Sequence, residues 1–307
     1  MNILVKYEGG IGDCFLSNRF LHAIKEKHPN ANIEIGFDTN GNPNQESILK
    51  EIWPSLYKNT FTIGKRLNQS FIIKNKKGQD VNYPPHPDNL PQEFKDKLQK
   101  CDLYYNLHID SLNFMKYDFD WLNWYYHFPK PEQYKTYSGK LPEKFILVHF
   151  LPRLDSFHKL DQNYSIELIK QLQKILPVVI ICNKENFDWY KNVSEYIIDP
   201  TISEIFDIAS KCSILYGADS SIRYIPLHFG KPTYILSHHC TKPNDIKSVN
   251  HAHLIRWLIF RQNVLPSNCS YERIEVITNN ILRNPAYVLF PEFSNGLEIS
   301  IQDIYNI

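Results

Sequence analysis

The chain has 307 residues, 34 of them basic and 33 acidic, for a net charge of +1 with histidine neutral. That length exceeds one small core and suits two domains of ordinary size. The charge balance disfavours a nucleic-acid partner without removing a local patch, and no apolar run reaches the roughly 18 residues of a membrane span.

The first residues run straight into a strand pattern with no basic-then-apolar leader. Six scattered cysteines (Cys14, Cys101, Cys182, Cys212, Cys240, Cys269) form no C-x-x-C pair. The expectation is free thiols in a reducing compartment and a soluble, cytoplasmic α/β protein.

Ile3-Leu4-Val5-Lys6-Tyr7 reads as a strand that stops at Gly9-Gly10-Ile11-Gly12-Asp13. A helix follows, with Leu16, Phe20 and Ile24 four residues apart and Leu21 beside them. The glycines permit a sharp turn and a close ligand approach. Asp13 falls in the first helical turn, where the helix dipole favours an acid, at the carboxyl end of a first strand. The spacing is neither G-x-G-x-x-G nor a Walker loop, and an acid here would repel a diphosphate. The residues themselves leave two readings of this turn: pure backbone geometry, or a base or substrate-orienting carboxylate.

Residues 64–100 read as an irregular insertion with a hairpin around Lys77-Gly78, and Cys101 to Leu107 recovers a strand pattern. The aromatic stretch from Phe114 through Tyr117, Phe119, Trp121, Trp124, Tyr125 and Tyr126 to Phe128 reads as core before sugar stacking. Asp118-Phe119-Asp120 is formally a D-x-D but lacks a strand end around it. Pro129 and Pro131 mark an interdomain linker.

The second half alternates strands and helices more clearly, as a doubly wound parallel sheet does. Phe145 to Phe150 is a buried strand, followed by a polar loop from Leu151 to Asn163 and a helix with Ser165 as N-cap, closed by Pro177. Val178 to Cys182 is the next strand, and Thr201-Ile202-Ser203-Glu204 is a capping box. Ile214-Leu215-Tyr216 leads into Gly217-Ala218-Asp219-Ser220-Ser221, then a helix from about Ile222 to Phe229 and a strand from Thr233 to Leu236. A last helix spans about Tyr271 to Leu282.

Asp219-Ser220-Ser221 before a helix offers hydroxyls and free amides to an anion, or simply an N-cap. His158 and Lys159, in the loop after the Phe145 strand, share that sheet edge and could reach a diphosphate. His238-His239-Cys240, with His251 and His253, lacks zinc-ligand spacing and reads as an exposed loop; His238 and His239 follow the Thr233 to Leu236 strand and could instead approach a nucleotide.

The opening segment Ile3 to Asp13 resembles the N-terminal signature of the heptosyltransferase-type enzymes, glycosyltransferase family 9. Ile214 to Ser221, followed by Leu227-His228-Phe229-Gly230-Lys231-Pro232-Thr233, resembles that family's donor-site signature. The loop from Arg153 to Tyr164, with Lys159, is similar to its phosphate loop, and Cys101 to Asp110 to its strand entering the acceptor cleft. Family members place a glycine after the Asp-Ser/Thr pair and a histidine three residues on. Here Ser221 and Tyr224 stand there, with Arg223 adjacent.

The resemblance implies a GT-B architecture of two Rossmann-like doubly wound domains facing across a cleft. Residues 1–135 would form the acceptor-side domain, 141–270 the donor domain, and 271–307 a helix and tail packing back on them. It implies an inverting transfer from a nucleotide sugar to the hydroxyl of a glycan or other acceptor, with no bound metal or cofactor. Asp13 would be the general base. Lys159, Asp219, Ser220, Ser221, Arg223 and His238 would hold the donor, and Gly10, Gly12, Asn106, His108 and Asp110 would line the acceptor side. A nucleotide-sugar epimerase or hydrolase, a non-catalytic GT-B-like binding module, and peripheral contact with the inner face of a membrane stay open.

Overall fold

The computed structural model describes residues 1–7, 10–38, 44–64, 72–74, 80–82, 91–107, 128–151, 160–218, 220–237 and 263–283. They divide into two compact units, Met1–Gln133 and Tyr134–Ile307.

In the first unit the chain runs β1 (Asn2–Tyr7), α1 (Ile11–Lys27), β2 (Asn32–Asp38), α2 (Gln45–Ile52) and β3 (Thr60–Gly64). A short antiparallel pair, β4 (Ile72–Lys74) and β5 (Asp80–Asn82), precedes α3 (Gln92–Lys100) and β6 (Leu103–Asn106). Strands β3-β2-β1-β6 form a four-stranded sheet, parallel at every pairing. Ile3, Leu4, Val5 and Tyr7 of β1 are all buried, as a strand covered on both faces requires.

Helix α1 buries the expected Leu16, Phe20, Leu21 and Ile24, but also Cys14, Ser17, Asn18 and Arg19. It is enclosed on more than its sheet face. Trp53 meets the Phe15 ring edge-on at 6.2 Å, and the Arg19 guanidinium lies 4.6 Å from the Phe128 ring centre. The hairpin expected around Lys77-Gly78 has its arms in β4 and β5, with Ile73 opposite Val81; its turn lies outside the described residues.

Residues 92–100, expected to be irregular, instead form α3. Phe94 is the one residue this helix buries. The helix is held on its polar side, where Lys97 donates to Glu34 of β2 and its ammonium sits 4.8 Å from the Phe61 ring centre.

In the second unit the order is β7 (Ile146–His149), α4 (Gln162–Gln173), β8 (Val178–Ile181), α5 (Phe187–Tyr190), β9 (Ile197–Ile198), α6 (Ile202–Lys211) and β10 (Ile214–Gly217). Strands β11 (Thr233–Ser237) and β12 (Asn263–Pro266) and helix α7 (Tyr271–Arg283) complete it. The sheet order is β12-β11-β10-β7-β8-β9, again all parallel. Ile274, Ile277 and Ile281 of α7 enter the same core as Ile146, Leu168 and Tyr216. Thr278 Oγ1 and the Tyr216 hydroxyl are 2.8 Å apart.

Two local expectations need correction. Helix α4 starts earlier than Ser165: Asp161 is its N-cap and accepts from the Tyr164 amide at 2.9 Å, while Ser165 is buried inside the first turn. The helix expected over 222–229 is a pair of 3₁₀ turns, Ser221–Tyr224 and Pro226–Phe229. Pro226 has no N–H to give and its ring crowds the carbonyl four residues back, so the chain takes the tighter i to i+3 bonds instead. Gly230 then ends the second turn with φ +65, a left-handed conformation that glycine adopts without strain. The capping box at Thr201 and Glu204 forms as the sequence indicates, with the Thr201 amide donating to Glu204 Oε2 at 2.8 Å.

The five described cysteines are free thiols. Among the described residues, no helix is long and apolar enough to cross a membrane.

Candidate functional site

Both sheets contain a point where the strand order reverses. In the first, β1 lies between β2 and β6; in the second, β7 lies between β8 and β10. Open parallel sheets bind ligands outside the carboxyl ends of their strands at such reversals. The β1–α1 turn stands at the first reversal, and the ends of β7 and β10 form the second.

At the first, Asp13 occupies the third position of α1 and its Oδ2 accepts the Gly10 amide at 2.8 Å. This is half of a capping box; Gly10 has no side chain to complete it. Gly10 is extended (φ −81, ψ 175) and Gly12 is helical, so neither adopts a left-handed conformation; Gly9 lies outside the described residues. A Cβ at Gly10 would stand 3.8 Å from Asp13 Oδ2, an ordinary contact, so space alone does not require a glycine there.

Beneath the turn lies a buried polar cluster. The Tyr57 hydroxyl donates to Asn18 Oδ1 at 2.9 Å and lies 3.2 Å from the Tyr7 hydroxyl, and Gln45 donates to Cys14 Sγ at 3.5 Å. Ser17 donates to the Leu107 carbonyl at 3.2 Å, tying α1 to the end of β6. Burial raises the Tyr7, Tyr57 and Cys14 groups well above their ordinary ranges, so they stay protonated and neutral. They support the turn rather than act as bases. Asn106 ends β6 opposite Lys6; its side chain, His108 and Asp110 lie outside the described residues.

At the second reversal, sequence reasoning missed the central residue. His149 closes β7 after three apolar residues and is 7% exposed, and its Nδ1 is 2.9 Å from Ser220 Oγ. Its carbonyl accepts the Ala218 amide at 2.8 Å. Backbone and side chain therefore both join the end of β7 to the segment after β10. Burial lowers the His149 imidazole to about 4, so the ring is neutral near pH 7. A signal was available: one polar residue at the carboxyl end of an otherwise apolar buried strand.

Ser220 is extended and Ser221 opens the first 3₁₀ turn. So short a turn adds little helix dipole, leaving the hydroxyls and local amides of the anion reading as its donors. Arg223 is 3% exposed; its guanidinium lies 4.5 Å from the Tyr224 ring centre and donates to the Tyr224 hydroxyl. Lys159, Asp219 and His238 lie outside the described residues, as do the D-x-D and the aromatic stretch before Phe128. A cavity of about 720 Å³, lined by Asn2, Asn32, Glu34, Lys97 and Cys101, lies at the amino ends of β1 and β2, at the opposite end of β1 from the β1–α1 turn.

Two parallel, Rossmann-like α/β sheets are the layout of GT-B heptosyltransferase structures, and the chain matches one of family 9. It is similar to the crystal structure of a glycosyltransferase family 9 protein from Veillonella parvula, with TM-score 0.57 and 12% identity over 94% of this chain and 97% of that one. It is also similar to an E. coli heptosyltransferase with ADP (TM-score 0.44, 10% identity, 92% and 98% covered) and to a UDP-GlcNAc 2-epimerase from Methanocaldococcus jannaschii (TM-score 0.43, 12% identity, 92% and 92% covered). No protein-family model and no curated protein matches the sequence.

Proposed function

We propose that this chain is an inverting, metal-independent glycosyltransferase that moves a sugar from a nucleotide-sugar donor to an acceptor hydroxyl. The observation that carries the reading is Asp13: a carboxylate held against the Gly10 amide at the reversal of the first sheet, within a fold matched over 94% of the chain. In the transfer, the acceptor oxygen forms a bond to the anomeric carbon as the bond from that carbon to the phosphate oxygen breaks. Asp13 takes the acceptor proton, and the nucleoside diphosphate leaves with the bonding electrons. A positioned base is worth roughly 10²–10⁴ in rate. Ser220, Ser221 and the Lys159 loop stabilise the charge that grows on the leaving group, where fixed donors contribute most. Arg223 serves by packing the Ser221 turn against Tyr224.

The reading is tested by a thermal-shift screen across nucleoside diphosphates and nucleotide sugars, followed by donor turnover with and without candidate acceptors. A ligand at a hundred times its Kd stabilises a protein by about 2.7 kcal/mol, well above detection. Donor consumed without an acceptor would move the assignment to a hydrolase or epimerase. No shift with any nucleotide would leave a non-catalytic binding module.

A further inference from the structure

We propose that His149 is the positioning residue of the anion site: its Nδ1–H donates to Ser220 Oγ, which leaves the single Ser220 hydroxyl proton for a phosphate oxygen of the ligand. The inference rests on the reading of Ser220 as part of the donor-diphosphate site and adds to it the residue that sets the polarity of its hydroxyl.

A serine hydroxyl has one proton and two lone pairs. If His149 Nδ1 accepted that proton, Ser220 would turn lone pairs toward an anion and repel it. If Nδ1–H donates, the lone pair facing the histidine is used and the proton points elsewhere. Because the ring is neutral, it has one N–H, and the choice between these arrangements is a choice of tautomer.

The placement suits a positioning role. The imidazole sits on a strand end, a rigid element, and the Ala218 amide at 2.8 Å from the His149 carbonyl fixes the two segments it joins. Gly217 helps, since a Cβ there would come within 3.1 Å of Leu215 Cδ2 and 3.5 Å of the His149 carbonyl oxygen. An imidazole buried after Ile146, Leu147 and Val148 costs free energy that a fourth apolar residue would not.

Two measurements test this. Long-range ¹H–¹⁵N spectra of the histidine rings, assigned with His149→Asn, report the tautomer in the ligand-free protein. The expected result is Nδ1–H, and an Nε2–H ring overturns the proposal. Calorimetric titration with ADP, GDP, UDP, CDP and dTDP then compares wild type with His149→Leu, His149→Asn and Ser220→Ala. For whichever diphosphate binds, His149→Leu should weaken binding about tenfold. His149→Asn, whose amide N–H takes the place of Nδ1–H, should recover most of it, as a merely space-filling role would not. In the Ser220→Ala background, His149→Leu should have no further effect; additive losses overturn the proposal. A wild type that binds none of the five overturns the donor-site reading and with it the ligand half of the inference, while the tautomer still decides the polarity of the bond. Unfolding midpoints of each variant identify any loss that comes from folding.

Discussion

Asp13 and Gly10 face each other across the first turn of α1, with Oδ2 2.8 Å from the amide nitrogen. The acid is thus both a helix cap and, in the proposed reaction, the base. The two roles separate in Asp13→Asn, whose carbonyl oxygen still accepts the amide but whose side chain no longer takes a proton at neutral pH. Transfer should fall by about 10²-fold or more, while diphosphate affinity and the unfolding midpoint stay close to wild type. An Asn variant with full turnover would remove Asp13 from the mechanism.

The neutral state of His149 makes stability depend on pH. Its folded value near 4 lies below the ordinary 6.5, so the unfolded chain binds the proton more readily. The associated stability is complete above pH 6.5 and is lost as pH falls toward 4. Between pH 7 and pH 5 this one group should cost about 2 kcal/mol. Urea unfolding of wild type and His149→Asn at both values checks it, because other titrations are common to both proteins. Equal pH slopes would show that the ring titrates normally.

The hydroxyl of Tyr57 serves Asn18, which is 0% exposed and whose Nδ2 has no hydrogen-bond partner among the described residues. Tyr57→Phe leaves the Asn18 carbonyl unsatisfied as well and should cost about 1–3 kcal/mol. Adding Asn18→Leu removes the stranded amide and should return part of that loss. Chemical denaturation of the two variants reads both effects.

Gly230 is the one described glycine with a positive φ, and a Cβ on it would meet nothing within 4 Å. Gly230→Ala therefore tests backbone strain without a clash and should destabilise by about 1–2 kcal/mol. Asparagine, which tolerates the left-handed region better, should cost less at the same position.

The legible parts of this fold were those whose local chemistry agreed with their tertiary role. Ile3 to Tyr7, Thr201 with Glu204, and the apolar face of α7 each carry their own signal within a few residues. Strand β2 was not read, because Asn-Ile-Glu-Ile-Gly-Phe-Asp interleaves polar residues, of which Glu34 answers Lys97 on a helix 63 positions away. Helix α3 was lost for the same reason, with Phe94 as its buried anchor. The 222–229 helix was misread through Pro226, whose missing N–H outweighs the apolar spacing around it. Asp13 and Ser220 were singled out from their turns, but His149 was not, since its hydrogen-bond partner lies 71 residues on.

That separation has a consequence for how the second unit matures. A chain folded only from β7 through β9 has two parallel pairings and a formed core edge, yet lacks the neighbour that brings Ser220 to His149. The bond between them needs the return crossover through α6 and the docking of β10 against β7. Long-range pairings of this kind come late, after the closure entropy of the intervening chain has been overcome. The His149–Ser220 bond forms only once β10 has docked on β7, so its ring resonance should emerge together with that pairing during refolding, and a half-built domain has no immature version of this junction.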